Sequence, residues 1–86
     1  MTINFSNSAI ADLDAIKEYY TEQEIPQVGT KFISEILMHI DSLSTHPDIG
    51  RIVPEFNETS IRELIHIPFR VVYLRQPTTI NLFGNK

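Results

Sequence analysis

Cysteine is absent from the sequence, which removes disulfide staples and thiolate metal centres and leaves nothing that points to an oxidising compartment. Glycine is scarce, and Gly50 stands by itself before Arg51, so there is no glycine-rich loop to cradle a phosphate. No apolar run approaches the length that crosses a bilayer, and the opening MTINFSNSA has neither the charged nor the apolar region of a signal peptide. The expectation is a cytoplasmic protein with no membrane contact. Basic charge is also short: seven Lys and Arg stand against eleven Asp and Glu, a net charge of −4. A protein that grips phosphate backbones broadly is usually basic, because released counterions drive that binding. The imbalance is uneven, since eight of the eleven acids precede residue 50 while Arg51, Arg62, Arg70, Arg75 and Lys86 follow it. A protein partner is therefore favoured over nucleic acid.

Recognisable catalytic spacings are missing as well. His39, His46 and His66 belong to no HExxH or similar ligand pattern, so neither a metal nor a cofactor is expected. Ser and Thr are scattered, with no GxSxG elbow and no triad. There is no internal repeat, low-complexity tract or linker.

What remains is the pattern of a small α+β domain. At 86 residues the chain, 1–86, is one domain, because a second would fall below the size of a self-sufficient core. INFS, from Ile3 to Ser6, alternates as a short strand. Ser6, Asn7 and Ser8 then offer N-cap oxygens, Asp12 and Asp14 suit the positive end of a helix dipole, and Ala9, Leu13, Ile16 and Tyr20 recur at helical spacing. This predicts a helix from about Ser8 to Glu24. Pro26 suits the first position of a second helix, whose stripe is Val28, Phe32, Ile36, Ile40 and Leu43, and which stops near Thr45 because Pro47 forces His46 into extended geometry. Gly29 weakens that helix by about 1 kcal/mol relative to Ala, and its small size permits close approach of the first helix.

The short link between them makes the two helices an antiparallel hairpin. PDIGR is a turn signal, Ile52 and Val53 suit a short edge strand, and strands Ile61–Ile67, Phe69–Arg75 and Thr79–Phe83 follow in a meander. The expected architecture is an N-terminal strand, a helical hairpin and an antiparallel sheet of three or four strands, with the helices on one face.

The stretch IRELIHIPFRVVYLR carries the most distinctive charges. Period two puts Arg62, Leu64 and His66 on one face and Glu63, Ile65 and Ile67 on the other. After the turn at Pro68, Arg70, Val72 and Leu74 share a face, as do Phe69, Val71, Tyr73 and Arg75. The bland expectation is that Arg62 and Glu63 are ordinary sheet-surface charges. For Arg70 it is a cross-strand partner, Glu63 or Glu55.

Three segments in this order, FSNSAIADLDAIKEYY, LSTHPDIGRIVPE and IRELIHIPFRVVYLR, resemble the RelE/ParE toxin superfamily of bacterial toxin–antitoxin modules. The likeness covers nearly the whole chain, and GRIVPE with REL and FRVVY follows the ParE-like pattern. It implies a type II toxin, with plasmid stabilisation as the setting. A cognate antitoxin would neutralise it in a hetero-oligomer, with DNA reached only through that antitoxin. Motif positions Arg51, Glu55, Arg62, Glu63, Arg70 and Tyr73 are the implied target- or antitoxin-binding residues. Two activities run on the fold: ParE-type inhibition of DNA gyrase, and ribosome-dependent mRNA cleavage of the RelE type. Arg70 matches a nuclease arginine, but Arg62 and Glu63 stand where nucleases place lysines, and no Tyr or His follows Tyr73. The resemblance therefore implies a gyrase inhibitor rather than an enzyme. Relatives also run on into a segment like V.HG.RD, whereas here INLF is followed by GNK. The alternatives are a ribosome-dependent mRNA endonuclease of the RelE type and a toxin-fold protein that has lost toxicity and only binds and modulates its antitoxin.

Overall fold

In a computed structural model, which describes residues 1–84, the chain begins with strand β1, Thr2–Phe5, and enters helix α1, Asn7–Glu22. Lys86, one of the basic residues of the second half, lies outside the described residues. Ser6 is the N-cap: its hydroxyl accepts from the backbone N–H of Ala9 at 3.0 Å, satisfying a donor that the first helical turn leaves without a partner. The helix begins a residue earlier than the sequence predicts and ends two residues sooner. Glu24 takes a left-handed φ of 62°, and the Ile25 N–H turns back to the Tyr20 carbonyl at 3.0 Å, a C-terminal stop that usually announces itself through Gly or Asn.

Helix α2, Pro26–Asp41, starts on its proline and passes into a single 3-10 turn, Ser42–Ser44. A Cβ on Gly29 would lie 3.0 Å from the Cβ of Tyr20, so the absence of a side chain there sets how closely the hairpin closes. Tyr20 in turn stacks on Phe32, with ring centroids 5.7 Å apart.

Four further strands follow: β2, Arg51–Ile52; β3, Ile61–His66; β4, Phe69–Arg75; and β5, Thr79–Gly84. The sheet has five strands in the order β1-β5-β4-β3-β2 and is mixed, because β1 joins β5 in parallel. Strands β2 to β5 form the expected antiparallel sheet of four strands, and the N-terminal strand joins it as a fifth. Parallel pairing needs a long connection, and here it comprises the helical hairpin together with β2, β3 and β4. Alternation in INFS identifies a strand but says nothing about which strand it will lie beside.

The helices cover one face of the sheet. Leu64, Tyr73, Ile80 and Leu82 on that face pack with Ala9, Ile36, Ile40 and Leu43 in the core. Each large side chain buried there contributes roughly 1.5–3 kcal/mol. The other face carries no helix, and the period-two geometry of β2, β3 and β4 assigns to it Arg51, Glu63, Arg70 and Val72.

Candidate functional site

Sheet register decides which charges meet. Arg51 lies directly across from Glu63, and Arg70 lies across from Ile65, one diagonal from Glu63 on the same face. Arg51 Nε donates to Glu63 Oε2 and Arg70 Nη1 to Glu63 Oε1, each at 3.0 Å. One carboxylate is thus gripped on both oxygens. Glu63 is 1% exposed, which is tolerable for a carboxylate only because it is paired and hydrogen-bonded. This overturns the reading of Glu63 as a surface charge. Alternation alone predicts exposure on a helix-free face, but the carboxylate is buried with each of its oxygens bonded to a guanidinium. The side chain of Arg51 is 64% exposed and that of Arg70 is 34% exposed, so the cations form the accessible rim of the cluster. Beside it, Glu55, Phe56, Ile61, Val72 and Phe83 help line a hollow of about 370 Å³ that Arg70 also reaches.

Arg62 and Tyr73 belong to a different structure. They are cross-strand partners on the helix-bearing face, and both hold the turn that leads into β2. Arg62 donates to the carbonyls of Thr59 at 2.9 Å, Gly50 at 2.9 Å and Asp48 at 3.2 Å. The Tyr73 hydroxyl donates to the Pro47 carbonyl at 2.9 Å and accepts from the Gly50 N–H at 3.0 Å. Arg75 Nε completes the clamp with a bond to Asp48 Oδ1 at 3.0 Å. Burial pushes the Tyr73 hydroxyl above its ordinary range; the Gly50 N–H and the nearby Arg62 oppose that shift without cancelling it. Gly50 is required by the fit: a Cβ there would lie 2.6 Å from the tyrosine oxygen and 2.7 Å from the Glu63 carbonyl.

The six sequence-predicted residues are therefore divided by the sheet. Arg51, Glu63 and Arg70 form one cluster with Glu55 nearby, while Arg62 and Tyr73 form a clamp on the opposite side. Sequence reasoning missed the part played by Arg75 and Asp48, whose only signal was the turn motif PDIGR. It also missed that His39 and His66 meet, with Nδ1 atoms 3.4 Å apart and Glu35 at 3.8 Å from His66 Nε2. One ring donates and the other accepts, a pairing fixed by how α2 lies on β3 and invisible in linear spacing. Among the described residues, no three His, Asp or Glu side chains converge on a common point suited to a metal.

A family model for the ParE toxin of the type II toxin–antitoxin system, parDE, matches residues 3–83. The chain belongs to this family. Its fold is also that of a solved chain described as the chromosomal ParDE TA system from P. aeruginosa, with a TM-score of 0.81 and 23% identity over 100% of this chain and 94% of that one. No curated relative matches the sequence. Membership gives meaning to the division of the motifs: in this ParE-family chain, REL contributes its arginine to the turn clamp and its glutamate to the cluster. GR and FR supply the two cations that hold that glutamate.

Proposed function

We propose that this ParE-family chain is a toxin that inhibits DNA gyrase and is held inactive by a cognate antitoxin. The observation that carries the reading is the engagement of the sheet arginines. Cleaving RNA without a metal needs cationic side chains to stabilise the pentavalent phosphate and further groups to act as acid and base. Here Arg51 and Arg70 hold Glu63, Arg62 holds three backbone carbonyls, and Arg75 holds Asp48. The Tyr73 hydroxyl is enclosed between Pro47 and Gly50. Such a surface favours recognition of a protein by shape and charge over phosphodiester chemistry.

Antitoxin recognition rests on the same cluster. Carboxylates of the partner meet the exposed rim of Arg51 and Arg70, and truncating one member of such a contact costs about 2–5 kcal/mol of affinity. Arg62, committed to the turn, sits outside that contact. The complex is a toxin–antitoxin hetero-oligomer in the cytoplasm, and it reaches DNA only through the antitoxin. Induction of the protein alone should arrest growth, and co-expression of the neighbouring gene should relieve the arrest. Unimpeded growth would favour a toxin-fold protein that has kept antitoxin binding alone.

A further inference from the structure

Glu35 and His39 lie one turn apart on the same side of α2, and His66 is the last residue of β3. The packing of α2 on the sheet brings the two imidazoles together, with Nδ1 atoms 3.4 Å apart and ring centroids 5.6 Å apart. An N–H donor usually stands about 2.7–3.2 Å from its acceptor, so this pair is held wider than a good hydrogen bond. The separation fits something else. Two imidazole nitrogens bound to one tetrahedral Zn²⁺ at about 2.0–2.1 Å stand about 3.3–3.4 Å from each other.

The surroundings suit that use. The Glu35 carboxylate lies 3.8 Å from Nε2 of His66, the nitrogen on the other side of the ring from the contact with His39. A carboxylate there favours a proton on Nε2, which leaves a lone pair on Nδ1 and makes that atom a stronger metal ligand. The His66 ring is also fixed in place. Phe32 packs edge-on against it and against Phe69, its cross-strand neighbour. The side chain of His66 keeps 21% of its surface exposed and His39 is half-buried, so an ion and its water can reach the pair.

We propose that His39 and His66 form a Zn²⁺ site, bound through both Nδ1 atoms, with water in the two remaining positions and Glu35 orienting His66 from behind. In the metal-free pair His39 donates through Nδ1 and His66 accepts. Binding puts His39 in its other tautomer: water carries the proton from Nδ1 to Nε2, and no net proton is released. The ion then staples α2 to β3 across a sequence separation of 27 residues. Mg²⁺ and Ca²⁺ do not suit the pair, because they take oxygen ligands. Square-planar Cu²⁺ suits it less well than Zn²⁺, because adjacent nitrogens on such an ion lie only about 2.8 Å apart.

Calorimetric titration of the full chain with zinc chloride, in protein free of any polyhistidine tag, tests this together with NMR of the imidazole nitrogens. Zn²⁺ should bind in equimolar amount and shift the Nδ1 signals of His39 and His66, while those of His46 stay in place. Occupancy should raise Tm. His39→Ala and His66→Ala should each weaken binding about tenfold or more, Glu35→Gln about tenfold, and His46→Ala not at all. Magnesium chloride should shift nothing. If a histidine variant fails to fold, the nitrogen signals of the wild type decide, because coordination through both Nδ1 atoms is read there without any substitution. The proposal is overturned by an absence of saturable binding, by coordination through Nε2 of either ring, or by unchanged affinity in folded His39→Ala or His66→Ala.

Discussion

Tyr73 has no exposed surface, and its hydroxyl is the hinge pin of the turn that leads into β2, donating to Pro47 and accepting from Gly50. Tyr73→Phe removes both bonds and leaves the Gly50 N–H without its partner, so it should cost about 1–3 kcal/mol in a urea unfolding curve. The same residue imposes a pH dependence. Burial raises its pKa above 10.0, so the folded chain keeps the proton at pH values where the unfolded chain loses it. That stability is fully present below pH 10 and is lost as the pH rises through the elevated value. Unfolding midpoints measured between about pH 9 and 11.5 should fall in the wild type and fall less steeply in Tyr73→Phe. Gly50→Ala drives a Cβ into the tyrosine oxygen and the Glu63 carbonyl and should cost roughly 1–3 kcal/mol. The arginine cluster makes an ordered prediction. Arg70→Ala removes the more buried cation and should cost about 1–3 kcal/mol, whereas Arg51→Ala, largely solvated, should cost under about 1 kcal/mol. Arg70→Lys should track Arg70→Ala, because an ammonium does not reproduce the directed guanidinium contact. Equal denaturation midpoints for wild type and Arg70→Ala would show that this arginine serves a partner alone.

At the scale of elements, the helical hairpin is closed by a single missing side chain. Gly29→Val should crowd Tyr20, force α1 from α2 and destabilise the fold by roughly 1–3 kcal/mol, lowering Tm by about 4–8 °C for each kcal/mol. An unchanged Tm would mean that the hairpin is looser than the 3.0 Å approach implies. Both helices were legible beforehand, because Ala9, Leu13, Ile16 and Tyr20, and then Phe32, Ile36 and Ile40, write a helical period, and Ser6 and Pro26 mark starts. Strands β3, β4 and β5 were legible from their strand-forming residues, and alternation divided the faces of β3 and β4. The left-handed stop at Glu24 was hidden because neither Gly nor Asn marks it. The parallel place of β1 was hidden because strand alternation encodes facing and not neighbours. The site was half legible for the same reason: Glu63 could be named a candidate partner of Arg70, but the register that brings both to one face is not encoded in alternation, and neither is the second contact from Arg51 on a strand only two residues long.

For the whole molecule, the uneven charge along the sequence acquires a location. The acidic first half is mostly the helical hairpin, while the arginines of the second half sit on the sheet, two of them clamping the entry to β2 and two rimming the cluster on the helix-free face. A surface with its cations already engaged is suited to a protein target, and gyrase inhibition is the central claim. The direct measurement is a plasmid supercoiling reaction with purified gyrase and the purified chain, run beside a translation extract that reports mRNA cleavage. The account predicts that supercoiling is inhibited, or cleaved DNA trapped, while mRNA stays intact. Unaffected gyrase together with ribosome-dependent mRNA cleavage that is abolished by Arg70→Ala would contradict it.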